Sequence, residues 1–217
     1  MLIDLKYLKD KYNLNLKGVC HIGASHAEEF DKYVECGIKN QIWIEAIPDV
    51  YKKMCDILIK KDARDIQCSA LNLCISDVSG KEVDFHITDN EGQSSSMLEL
   101  DYHKIVHPNV KEIKSIKLIT KTLMDVARSV FPYFLFGKDI NFLNLDIQGA
   151  ELLAFKGAGD LLNALIDYIY CEVNTKELYK GCALLEEIDD YLYDFGFKRV
   201  EIKMTDCFWG DAFYIKS

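Results

Sequence analysis

Proline is scarce, with three residues in a chain of 217. No Pro/Gly/Ser-rich stretch reads as a linker, and no internal repeat or low-complexity tract is present, which excludes a string of tethered modules. No two of the eight cysteines (Cys20, Cys36, Cys55, Cys68, Cys74, Cys171, Cys182 and Cys207) form a C-x-x-C pair, which argues against a zinc site. Several lie in apolar strand-like runs, where a free thiol behaves as a small hydrophobe, and a chain of this size needs no disulfide staples. All eight are expected to be reduced. No apolar run is long enough to span a bilayer, and the charged segment 1–15 lacks the apolar stretch of a signal peptide. A soluble, cytoplasmic protein is expected. Basic residues are outnumbered, 26 against 35 acidic, for a net charge of −9. A nucleic-acid partner requires the opposite balance, because binding rests on neutralising phosphates. Lys111, Lys114, Lys117 and Lys121 are a local exception, but their spacing is that of a polar strand face.

What is present is apolar residue in quantity, 49% of the chain, enough for a substantial core. It is distributed as short apolar runs alternating with amphipathic segments. Helices are predicted at 1–12, 27–36, from Pro48 to about 60, from 123 to about 130, at 151–155, 160–165 and 184–195. Strands are predicted at 18–22, 41–47, within 66–76, and at 81–88, 114–122, 141–147, 168–173, 197–204 and 209–215. One α/β domain over 1–217 is expected, with a short N-terminal helix in 1–15 and an insertion at about 81–122. Strands alternating with helices imply a mostly parallel sheet covered on both faces. The short link between the last two strands forces antiparallel pairing. A parallel sheet with an antiparallel last strand is the Rossmann-like fold of class I methyltransferases, in which seven strands are expected.

In open sheets of this kind ligands bind at the carboxyl ends of the strands, near the topological switch point. That rule selects Gly23, Glu45, Asp77, Asp146 and Glu172. Gly23 permits a tight turn and close approach of backbone to a ligand. Glu45 ends the second strand about 20 residues further on, the distance at which an acid accepts from both ribose hydroxyls. Dinucleotide enzymes use the same pair, so an NAD-dependent oxidoreductase stays open at this point, as does a non-catalytic binding domain. Asp77 follows the third strand, where an acceptor suits an adenine amino group; an Asp before the Ser79-Gly80 turn is equally ordinary. The segment Asn141-Phe142-Leu143-Asn144-Leu145-Asp146-Ile147-Gln148-Gly149-Ala150-Glu151 gathers two carboxylates and an amide at one strand end. Glu151 there also suits the positive end of a helix.

These segments resemble the FkbM-type family of S-adenosylmethionine-dependent methyltransferases. The matching pieces are HIGASHAEE (21–29), WIEAIPDVY (43–51), ISDVSGKEVDFHIT (75–88), QSSSMLEL (93–100), NFLNLDIQGAELLAFKGAG (141–159), YCEVNTKELYKGC (170–182) and WGDAFYI (209–215). They cover nearly the whole chain, and D-x-[EQ]-G-A-E at 146–151 is the most distinctive. The resemblance implies S-adenosylmethionine as cofactor, held by His21, Gly23, Ala24, Ser25, Glu29, Glu45, Ala46, Ser76, Asp77, Ser94, Asp146 and Gln148. The chain departs from the family at His21, Ser25 and Ala27, where an acid and more Gly and Asn are usual, and at Gln148, where Glu is usual.

The resemblance further implies methyl transfer to a hydroxyl, with a sugar or glycan preferred over a small natural product, lipid or protein. A neutral sugar hydroxyl needs a general base or a metal that lowers its pKa. Asp146 is the first candidate base, with Glu172 beside it at the next strand end. His103, and with it His107, lies just after the Ser94-Ser95-Ser96 loop of the insertion, and His26 sits in the first glycine loop. Asp146, Glu172 and Asn174 offer oxygen ligands suited to a divalent cation such as Mg²⁺ or Mn²⁺; polar contact without metal is the simpler expectation. Tyr102, Tyr179, Phe208 and Trp209 are candidate sugar-stacking surfaces. Whether the chain forms a homodimer is left open.

Overall fold

Short apolar strands and amphipathic helices follow one another along the chain as α1 (Leu5–Tyr12), β1 (Gly18–Ile22), α2 (Phe30–Glu35), β2 (Asn40–Glu45), α3 (Pro48–Lys60), β3 (Gln67–Asn72), β4 (Cys74–Ile75), β5 (Glu82–Thr88), α4 (His103–Val106), β6 (Glu112–Lys121), α5 (Leu123–Val130), β7 (Phe142–Leu145), α6 (Glu151–Ala158), α7 (Asp160–Ala164), β8 (Tyr168–Asn174), α8 (Leu185–Tyr193), β9 (Phe197–Met204) and β10 (Trp209–Lys216). The structure is a computed structural model and describes residues 1–61, 65–130, 134 and 136–217. The main sheet has seven strands in the order β3-β2-β1-β7-β8-β10-β9. All pairings are parallel up to β8; β10 runs antiparallel to both β8 and β9. This is the Rossmann-like methyltransferase architecture expected from the sequence.

Because side chains alternate across a strand, the central strands feed two cores. Ile22, Leu143, Leu145, Ile169 and Cys171 point to a core shared with α5, α6, α7 and α8. Val19, Trp43, Phe142, Tyr170 and Phe213 point to a core shared with α1, α2 and α3. Local signals begin the helices. Asp4 caps α1 by accepting from Tyr7 N–H at 2.7 Å, and Pro48 opens α3, where its missing N–H costs nothing.

Two expectations need correction. The helix expected from residue 27 starts only at Phe30, because Ser25 and Ala27 adopt positive φ (45° and 57°) and bend the chain into a loop. The third strand divides: β3 stays on the main sheet, and β4 leaves it to pair with β6. β4, β6 and β5 form a separate three-stranded sheet, and the short α4 lies in the same insertion. Lys114, Lys117 and Lys121 lie along exposed β6, where Lys117 pairs with Asp84 at 2.8 Å. Among the described residues no helix is long and apolar enough to cross a membrane.

Candidate functional site

The chain builds β1, β2 and β3 in one direction and then returns to place β7 on the other side of β1. The loops after β1 and β7 therefore diverge, and a crevice opens between them. A cavity of about 470 Å³ occupies it, within the range of small-molecule sites. Its lining includes the expected His21, Gly23, Ala24, Ser25, Glu29, Glu45, Ala46, Ser94, His103, Asp146, Gln148 and Glu172. Ser76, Asp77, His26 and Asn174 are not part of that lining. Ser76 is carried away with β4, its N–H bonded to Lys121 O at 2.9 Å, and its hydroxyl donates to Asp77.

Glu45 is buried at the end of β2. Its two oxygens accept separately, from Ser25 N–H at 3.0 Å and Ile47 N–H at 2.8 Å. The carboxylate thus ties the β1 loop to the start of α3. Burial raises its pKa, and the backbone N–H groups oppose that shift. Asn72 Nδ2 donates to the carbonyls of Glu45 and Ala46, fixing the same corner from β3.

His21 lies on the floor of the cavity. It is buried on β1, with Nδ1 3.1 Å from Tyr33 Oη and Nε2 3.2 Å from Asn144 Nδ2. Burial pushes its pKa down to about 4, so the ring is neutral at ordinary pH. His21 therefore gives the cavity a rigid, uncharged floor.

At the β7 end, Asp146 lines the cavity and is itself exposed; the surrounding protein groups that displace part of its hydration, with the Asp211 charge adding to them, raise its pKa to about 6 against a bond from Gln148. Glu172, at the end of β8, is pushed well above the usual carboxylate range by burial and by Asp146, Glu151 and Asp211. Gln148 lies between the two and donates from Nε2 to Asp146 Oδ1 at 2.7 Å and Glu172 Oε2 at 3.0 Å. Its own position is fixed by Tyr179, whose hydroxyl donates to Gln148 Oε1 at 2.5 Å, and by Ser96, whose hydroxyl donates to its carbonyl at 2.8 Å. Glu151 accepts from the N–H groups of Ile147 and Gly149 and so clamps this loop; burial raises its pKa to about 8.

This arrangement bears on the expected metal ligands. Asp146 and Glu172 do come together, but the amide of Gln148 bridges them where a cation would have to sit. Asn174 is buried at the end of β8 with both polar side-chain atoms unpartnered among the described residues. Among the described residues no three His, Cys, Asp or Glu side chains form a metal-holding group.

Other expectations shift as well. Tyr179 is buried, lines the cavity, and donates its hydroxyl to Gln148. Tyr102 and Phe208 pack edge to face 5.8 Å apart, outside the cavity lining, whereas Trp209 and His107 are in it. His103 is buried with its Nδ1 unpartnered, and burial followed by His107 lowers its pKa to about 4. Asp211 was missed by sequence reasoning. It faces Glu172 across the β10–β8 pairing and accepts from Tyr170 Oη and from Leu2 N–H at 2.5 Å. Only the register of the last hairpin brings it there.

A carboxyl whose pKa is raised by folding favours the folded state most when protonated. Its contribution is full below the unfolded value near 4 and is lost as pH rises through the folded value. Asp146 and Glu151 place that loss between about pH 4 and about pH 8. Glu172→Gln is nearly isosteric and removes one charge from the cluster. Because burial and the neighbouring acids raise the Glu172 pKa, the variant is expected to unfold at higher urea than the wild type at pH 8. The difference should vanish near pH 4, which urea titrations at the two pH values check.

Comparison with known proteins is consistent with this geometry. The family described as Methyltransferase FkbM domain matches residues 19–199. No curated protein matches the chain in sequence. Among solved structures, the methyltransferase FkbM from Methylobacillus flagellatus KT is similar with a TM-score of 0.55 at 12% identity, over 92% of this chain and 43% of that one. The chain thus spans less than half the length of that protein. Magnesium protoporphyrin IX methyltransferase from Synechocystis PCC 6803, with bound S-adenosylmethionine, has a TM-score of 0.54 at 10% identity, over 98% and 76% of the two chains. M. capricolum TrmK with bound S-adenosylhomocysteine has a TM-score of 0.53 at 8% identity, over 100% and 70%. At such identities the likeness establishes the fold alone.

Proposed function

This chain belongs to the FkbM methyltransferase domain family, and from that premise we propose that it is an S-adenosylmethionine-dependent O-methyltransferase acting on a hydroxyl of a sugar or glycan. The observation that carries the reading is the pairing, in one cavity, of Glu45 with the Asp146–Gln148–Glu172 cluster. Glu45 keeps lone pairs on both oxygens beyond its two backbone donors, as a ribose diol requires. Ile47, Leu73, Ile75, Phe85 and Met97 give an apolar wall near it, which suits a purine ring. Gly23 lets backbone rather than side chain face the ligand. These features fit the cofactor, which when bound supplies an electrophilic methyl on a positively charged sulfur.

Asp146 is the proposed general base. With a pKa near 6 it is ionised at neutral pH yet basic enough to take the acceptor proton. Gln148 and Tyr179 hold that carboxylate in place. His103, neutral and with Nδ1 unpartnered, is positioned to bond an acceptor hydroxyl. The amide bridge at Gln148 supports a reaction without a divalent cation, so EDTA is expected to leave the rate unchanged.

The test is incubation with methyl-labelled S-adenosylmethionine and a panel of sugars and oligosaccharides, with products read by mass spectrometry. A methyl ether is expected. Asp146→Asn should lower kcat by about 100-fold or more, and the wild-type rate should rise as pH passes through about 6. Label appearing only on amines, lipids or protein would overturn the acceptor class.

A further inference from the structure

Four carboxylates gather at the β7–β8 end of the cavity, and their hydrogen bonds divide them. Asp211 is engaged by Tyr170 Oη and Leu2 N–H, and Glu151 by two backbone N–H groups. Asp146 and Glu172 share a single donor group, Gln148 Nε2, which takes one oxygen of each. No other hydrogen bond to either carboxylate is made among the described residues. Among those residues the lining contains no lysine or arginine, and the N-terminal ammonium of Met1, which also lines it, is paired with Glu29 at 3.3 Å. Its imidazole at His21 is committed to Tyr33 and Asn144. Two adjacent carboxylates that share one donor group repel each other unless something positive meets them.

A second observation concerns the same cavity. His103 lines it, is only 4% exposed, and has no partner for Nδ1 among the described residues. A buried polar atom left open costs stability unless a ligand satisfies it.

Resting on the cofactor reading above, we infer that Asp146 and Glu172 read the positive charge of the methylated cofactor, so that the chain holds S-adenosylmethionine more tightly than its neutral thioether product. The two molecules share adenine, ribose and amino-acid groups, so Glu45 and the apolar wall treat them alike. They differ by one methyl and one positive charge at sulfur. Attraction of that charge to these carboxyl groups is stronger in a cavity walled by protein than in open water. Transfer removes it. The acceptor oxygen forms a bond to the methyl carbon, the carbon–sulfur bond breaks with its electron pair left on sulfur, and the hydroxyl proton passes to Asp146. A neutral thioether then faces a half-protonated pair and has lost its electrostatic hold. The by-product is therefore a weak inhibitor of the next turnover.

Isothermal titration calorimetry at pH 8 tests this with three ligands: S-adenosylmethionine, S-adenosylhomocysteine, and the analogue that carries a primary ammonium in place of the S-methyl group. The wild type should bind both cationic ligands at least about tenfold tighter than the thioether, about 1.4 kcal/mol. Glu172→Gln should bring all three within about twofold while leaving thioether affinity unchanged, which also shows that the variant is folded. Asp146→Asn provides the same comparison should Glu172→Gln fail to fold. Equal or tighter binding of the thioether by the wild type would overturn the inference. So would a tenfold preference that survives in the variants. Absence of binding by all three ligands would instead overturn the cofactor reading, and this inference with it.

Discussion

Gly23→Ala is expected to destabilise the protein by about 4 kcal/mol or more and to abolish the cofactor site. A Cβ at this position would lie 1.8 Å from the carbonyl oxygen of Asp146 and 2.7 Å from its carbonyl carbon. Neither side can retreat. The N–H groups of Gly23 and Ala24 both donate to Ile44 O, at 2.9 and 3.0 Å, and Asp146 N–H donates to Ile22 O at 2.9 Å. The clash is therefore backbone against side chain within hydrogen-bonded sheet, on top of the strain of φ +80°. Gly80→Ala separates the two contributions. Gly80 has nearly the same φ, +83°, but nothing within 4 Å of the added carbon, so it should cost only about 1 to 2 kcal/mol. For a chain of this length about 4 kcal/mol lowers the melting temperature by about 8 to 16 °C. Thermal unfolding of the two variants side by side checks the prediction. Equal shifts would mean that the close approach of β1 to β7 is looser than the structure has it.

That approach is also where the sequence was most legible. Gly23, Glu45, Asp146 and Glu172 all end apolar strands, and strand ends can be located from short apolar runs and the turn residues after them. Their convergence follows from the switch in strand order, which alternating strands and helices already imply. What depends on register was not legible. His21, Tyr33 and Asn144 form one network only because β1 and β7 pair with His21 beside Asn144. Asp211 joins the carboxylates only through its pairing with Glu172. Gln148 has φ 55°, a backbone state that nothing in its residue type announces, and that turn belongs to the bridge it makes between two acids. Ser76 and Asp77 lie outside the cavity lining for the opposite reason. The run 66–76 reads as one strand, but Leu73 separates β3 from β4 and the chain changes sheets there.

Glu45→Gln carries the other large effect: S-adenosylmethionine affinity is expected to fall by about 100-fold or more, nearly as far as in Glu45→Ala. An isosteric amide is ordinarily the mild substitution. Here each carboxylate oxygen accepts from a backbone N–H, Ser25 on one side and Ile47 on the other. A glutamine has one carbonyl oxygen, so its NH₂ must face one of those N–H donors, donor against donor. The β1 loop or the start of α3 is then released, and the negative charge that strengthens bonds to a ribose diol is lost as well. A hundredfold corresponds to about 2.8 kcal/mol, a fair magnitude for one buried charge-assisted contact and one unsatisfied donor together. The ribose is common to cofactor and by-product, so S-adenosylmethionine and S-adenosylhomocysteine should weaken by the same factor. That parallel loss distinguishes Glu45 from Glu172, whose substitution should act on the cationic ligand alone. Calorimetric titration of both ligands into Glu45→Gln decides the matter. Unchanged affinity would remove Glu45 from the cofactor site and leave it as a clamp between two loops. Selective loss of the cationic ligand would move the charge-reading role from the β7–β8 end of the cavity to the end of β2.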